Sequence, residues 1–159
     1  MSDAKQYLIA RIKDERFAFD IQNVHEILRD QKISKVPSKL VFLEGIINVR
    51  NKVIPLINLR QKLYQTANYD KDYVVIIVSD GQKDNMVGLM ADEVQEVILL
   101  PDNLIDKPML FNKGYGEELI NGIGKLESGL VIILNISNIF TEEDRVILEK
   151  VKKESIKES

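Results

Sequence analysis

The feature that most constrains this 159-residue chain is that it repeats itself. Gly45–Leu59 aligns without a gap to Gly122–Ile136, an offset of 77 residues. Gly45 meets Gly122 and Asn58 meets Asn135, while Val49/Leu126, Val53/Leu130, Leu56/Ile133 and Ile57/Leu134 keep the apolar positions in phase. Upstream, Phe17-x-Phe19 followed by Val24-x-Glu26-Ile27 corresponds to Val87-x-Leu89 followed by Val94-x-Glu96-Val97, at an offset of 70. One match of this kind is weak, since strand hairpins resemble one another, but two in the same order point to a duplicated unit. An all-β unit of roughly 65 residues lies near the lower limit of independent stability. Two copies should therefore share an apolar seam rather than hang on a linker.

Local patterns agree with a mainly β chain. In Tyr7–Ile12 and Arg16–Asp20 apolar side chains recur at period two, which predicts two strands joined at Lys13-Asp14-Glu15. Val24, Ile27 and Leu28 then fall at helical spacing behind Asp20 as N-cap, which predicts a short helix. Pro37 closes the segment Ile33–Val36. Gly45–Leu59 reads as a hairpin turning near Arg50-Asn51-Lys52, with Asn51 suited to positive φ. Pro55 lacks a ladder donor, so its strand should be an edge or carry a bulge there. Arg60–Tyr64 suits one helical turn, with a polar connector from Gln65 to Lys71. Thr141 followed by Glu142-Glu143-Asp144 starts a C-terminal helix with Ile147 and Val151 on its buried stripe. The expected organisation is a single domain over 1–159, with sub-barrels at 6–66 and 67–140. A helix at 141–152 and a frayed tail follow.

Chemistry is mostly excluded. A net charge of −3 opposes a phosphate-backbone binder. Aromatics make up 6% of the chain, and Phe17 and Phe19 keep an inward strand rhythm, so a single-strand stacking platform is not expected. Without cysteine there is no disulfide, zinc–thiolate site or thiol nucleophile. His25 is the one histidine, which removes His-based triads and metal pairs. Gly114-Tyr115-Gly116 and Gly122-Ile123-Gly124 lack the spacing of a phosphate loop or dinucleotide fingerprint. Glu142-Glu143-Asp144 and Asp92-Glu93 form no acid/base pair. No metal, cofactor or catalytic residue is expected. The purest apolar run, Val74–Val78, is far short of the ~20 residues that span a bilayer. With no leader pattern, the expected location is cytoplasmic and unanchored.

The order of the motifs resembles the chemotaxis coupling-protein (CheW) family from about Gln6 to Leu148. The carrying pieces are Phe17-Ala18-Phe19-Asp20-Ile21-x-x-Val24-x-Glu26-Ile27, Val36-Pro37, Phe42–Arg50, Val53–Arg60, Val87–Val94 and the Gly122–Ile136 hairpin. The resemblance implies two src-homology-3-like five-stranded β-barrels. It also implies a non-catalytic scaffold, recruited to receptor arrays, that joins methyl-accepting chemoreceptors to the chemotaxis histidine kinase CheA. Val24, Glu26 and Ile27 match the family's receptor-facing stretch, and Arg50 matches an arginine tied to receptor coupling. Kinase contacts fall mainly on the second barrel and are not assigned to residues. The family usually has glycine after that arginine, where this chain has Asn51. From periodicity alone, Val24 and Ile27 read as core residues in preference to contact residues, and Glu26 and Arg50 as solvated charges. An adaptor for a sister chemosensory pathway and a small-ligand-binding barrel are the alternatives.

Overall fold

In a computed structural model, residues 3–65, 72–79, 85–107 and 119–158 are described, with side chains to residue 154. The first hairpin joins β1 (Ala4–Ile12) to β2 (Glu15–Asp20), and Lys13 takes the positive-φ place in its turn. Asp20 caps a 3₁₀ turn, Ile21–Asn23, by accepting from the Gln22 N–H. The predicted helix ends there. Val24–Leu28 is strand β3, paired along β6 (Val74–Ser79). Helical spacing of three apolar residues is a weak local preference over so short a stretch, and the tertiary ladder overrides it.

The remaining strands are β4 (Leu43–Val49), β5 (Lys52–Asn58), β7 (Met86–Ala91), β8 (Glu93–Pro101), β9 (Ile105–Asp106), β10 (Ile120–Leu126) and β11 (Gly129–Leu134). Among the described residues the α-helices are α1 (Leu59–Tyr64) and α2 (Glu142–Glu158). Among the described residues these strands form two sheets, ordered β3-β6-β7-β5-β4 and β8-β1-β2-β11-β10-β9. The first has the five strands expected, and the second adds the two-residue β9.

The two orders are the same order. The offset of 70 carries β1, β2 and β3 onto β6, β7 and β8, and the offset of 77 carries β4 and β5 onto β10 and β11. Substituting one set for the other turns the five-stranded sheet into the six-stranded one, less β9. Each half of the chain therefore lends its leading hairpin to the other half's sheet. The expected sub-barrels at 6–66 and 67–140 do not describe the sheets, because β1–β2 sits with β8–β11 and β6–β7 sits with β3–β5. The reason lies in the hairpins themselves, which are apolar on both faces and must be covered on both. Tyr7, Ile9 and Ala18 fill the interior of the six-stranded sheet, while Leu8, Ala10, Ile12, Phe17 and Phe19 face the seam. Residues of both sheets meet there, including Ile57, Leu59, Val74, Ile76, Val78, Val87 and Leu89, so the shared apolar seam is present.

Small irregularities repeat with the strands. The ladder slips between Val24 and Glu26 and again across the equivalent Gln95, and slips at Glu44 and again at Asn121. The Asn58 N–H reaches Phe42 O at 2.8 Å, and the Asn135 N–H reaches Leu119 O at 2.8 Å. Side-chain oxygens of both asparagines cap the turn that follows. A Cβ on Gly45 would lie 2.5 Å from Ser34 O, and one on Gly122 would lie 2.7 Å from Asp106 O.

Pro55 behaves differently from its prediction. β5 lies between β4 and β7, so it is not an edge, and the nearby bulge belongs to β4. Ile132 pairs with Phe17 in one sheet, but the equivalent Pro55–Val87 pair is missing and the β5–β7 ladder begins at Leu56. α2 covers that place, with Pro55, Val87, Arg145 and Leu148 around a cavity of about 50 Å³. Thr141 caps α2 reciprocally: its Oγ1 accepts from the Asp144 N–H, and Asp144 Oδ2 accepts from the Thr141 N–H. Leu148 and Val151 are buried. The helix is drawn to Glu158, and Lys152, Lys153 and Glu154 toward its end are good helix formers.

Candidate interaction site

The β4–β5 hairpin turns on two residues, Arg50 at φ 52° and Asn51 at φ 67°. Two consecutive positive φ values define the turn that matches strand twist, and they favour Asn and Gly. An arginine at the first place holds a conformation costing about 1–2 kcal/mol. Its Nε donates to Glu26 Oε2 at 3.0 Å. Glu26 lies on β3 and Arg50 at the tip leading from β4, so the pair joins the two outer strands of the curled five-stranded sheet. The Arg50 side chain is 79% exposed and that of Glu26 27%. An exposed pair of this kind contributes about 0–1 kcal/mol. Stability alone does not explain the strained arginine.

Val24 and Ile27 pair with Val78 and Ile76, both seam residues, so they share the seam-facing side of β3. Val24 is half-buried and packs into the seam, as the core reading expected. Ile27 is 41% exposed at the rim. The structure thus brings Glu26 and Arg50 into contact beside an exposed Ile27, and assigns Val24 mainly to packing.

Two features escaped the sequence reading. On β8, an outer strand of the six-stranded sheet, Val97 and Leu99 are 50% and 64% exposed. Val97 is the offset-70 equivalent of Ile27, so the repeat already carried that signal. The second is Asp92, whose side chain is 3% exposed between Arg11 and Arg60. Those partners lie 81 and 32 residues away, beyond any local pattern. Beside it, hydrogen bonds from Gln95 and Arg11 hold the Glu93 carboxyl below its ordinary range.

Comparison with known proteins follows the same lines. Residues 6–144 match the model of the CheW-like domain. The chain is 28% identical over 150 residues to the chemotaxis protein CheW of Klebsiella aerogenes, covering 94% of this chain and 89% of that one. It is 30% identical over 137 residues to the CheW of Thermotoga maritima, covering 86% and 88% respectively. Among solved structures, the scaffolding protein TtCheW of Thermoanaerobacter tengcongensis superposes with a TM-score of 0.74 at 30% identity, covering 87% of this chain and 93% of the other.

Proposed function

The chain belongs to the CheW-like domain family, and on that premise we propose that it is a non-catalytic adaptor of chemotaxis signalling that joins chemoreceptor tips to the regulatory domain of the kinase CheA. Relatives named chemotaxis proteins and a scaffolding protein support the adaptor role. The observation that carries the receptor assignment is Arg50, held at positive φ and ion-paired to Glu26, the strand neighbour of the exposed Ile27. A receptor tip is a helical hairpin, and a helix lying along the rim buries apolar anchors in a groove. Ile27 supplies the anchor, Val24 backs it from the seam, and Glu26 and Arg50 set register by charge.

For the kinase we assign the β8 edge, where Val97 and Leu99 form an apolar pair. The accessible surface of 9907 Å² leaves room for two interfaces of about 800 Å² each. None of the described helices is long and apolar enough to cross a membrane, which fits recruitment to receptor arrays from the cytoplasm. Binding to a receptor-tip fragment, measured by calorimetry for wild type and Glu26→Arg, tests the assignment. Loss of binding with an unchanged melting temperature is expected. Equal binding by the two proteins would remove Glu26 and Arg50 from the interface.

A further inference from the structure

We propose that Asp92 is a positioning residue that sets the angle between the two sheets, and with it the geometry in which the β3 and β8 edges meet their partners. Asp92 stands at the corner between β7 and β8, where the chain crosses from the five-stranded to the six-stranded sheet. Its Oδ2 accepts from Arg11 Nη1 at 3.2 Å and from the Lys13 backbone N–H. Arg60 Nε and Nη2 converge on Oδ1 at 2.9 and 2.7 Å. The Asp92 N–H donates to Arg11 O at 2.9 Å.

These partners come from both sides of the seam. Arg11 and Lys13 belong to the hairpin lent to the six-stranded sheet, and Arg60 to the helix that continues β5 of the other. One buried carboxylate therefore fastens three segments. Tyr64 adds to the same clasp, edge-on to Phe17 at 6.4 Å with Lys13 Nζ 5.2 Å above its ring. Apolar packing across the seam is non-directional. Charge-assisted hydrogen bonds that fill both carboxylate oxygens are directional.

The duplication provides an internal control. The offset-70 equivalent of Asp92 is Gln22, which sits in the 3₁₀ turn with its backbone N–H bonded to Asp20. At the corresponding end of the seam, α2 instead lies over Asn85 and Val87 around the 50 Å³ cavity. One end is held by a carboxylate with both oxygens filled by two arginines, the other by a helix packed over a gap and tied by the single longer pair Lys62 Nζ–Asp144 Oδ2 at 3.6 Å, so the Asp92 end is the more directional of the two. The effect on signalling rests on the bridging reading above, whereas the angle itself does not.

The chain has no cysteine, so Lys52→Cys with Glu127→Cys places one spin label on each sheet's hairpin tip in the full-length protein. Distance distributions are compared with and without Asp92→Asn. Removing one member of a buried charge cluster can prevent folding, so Arg60→Gln, which cuts only the α1 arm, is measured alongside. Both variants are expected to shift or broaden the distribution. Without the labels, each should bind receptor tip and kinase domain singly as wild type does, yet lose receptor-dependent kinase activation by about tenfold, a usual size for coupling between two sites. An unchanged distribution in both variants would overturn the proposal, as would parallel loss of both single-partner affinities. If the wild-type protein binds neither partner, the bridging reading falls and the distances still decide the role of Asp92.

Discussion

At the tip of β4–β5, Arg50 and Asn51 both hold positive φ, whereas at the tip of β10–β11 their equivalents Glu127 and Ser128 do not, and the positive φ falls on Gly129, the equivalent of Lys52. The second hairpin uses the residue that its turn makes easiest. The first places a charged side chain where glycine or asparagine would cost less. Two hairpins of one plan thus differ at the position where receptor contact is proposed, and a broken local rule is expected at functional sites. A second difference lies at Pro55, whose ladder partner is lost and whose flank α2 covers, while Ile132 keeps its pair with Phe17.

The largest test of this equivalence is at the seam. Phe19 and Leu89 are offset-70 equivalents, both fully buried. Phe19→Ala should cost about 3–5 kcal/mol and Leu89→Ala about 2–5. Because each half contributes strands to both sheets, each variant should unfold in one calorimetric transition. Two separate transitions would mean that the sheets are independent. Next come the paired glycines. Gly45→Ala and Gly122→Ala each drive a Cβ into backbone oxygen and should cost about 2–3 kcal/mol. That is a fall of roughly 5–10 °C in melting temperature for a domain of this size. A large loss at one and none at the other would break the correspondence.

Arg50→Gly sharpens the contrast between the tips. Relief at positive φ offsets the lost exposed ion pair and the added chain freedom, so stability should stay within about 1 kcal/mol of wild type. Receptor-tip binding should nonetheless be lost. The smallest effect concerns Tyr7, which fills the place of Ile77 in the other sheet's interior. Burial, then Asp20 and Asp102, raise its hydroxyl above the ordinary value of 10.0. The folded form then takes up the phenolate less readily than the unfolded form. Its contribution is complete below pH about 10 and lost as pH rises through the higher folded value. Tyr7→Phe should flatten the alkaline fall in stability measured by urea titration.

Much of this was legible in the sequence. Period-two runs located β1 and β2, and the 77-residue repeat, with its matched glycines and asparagines, located both later hairpins. The hairpin exchange was not legible. Strands apolar on both faces suit either sheet, so alternation cannot say which half they join. β3 was mistaken for a helix because five residues carry too little periodicity to separate the two. At the site, Glu26, Ile27 and Arg50 came from resemblance, and their geometry came from the fold. The positive φ at Arg50 and the Asp92 clasp depend on turn pairing and on contacts far apart in the chain.

The most direct test mixes the wild-type protein with a receptor-tip fragment and the kinase regulatory domain and follows all three by sedimentation velocity. One species containing all three is expected, with Arg50→Gly releasing only the receptor fragment and Leu99→Lys only the kinase domain. Competition between the two partners, or binding to neither by folded protein, would contradict the bridge.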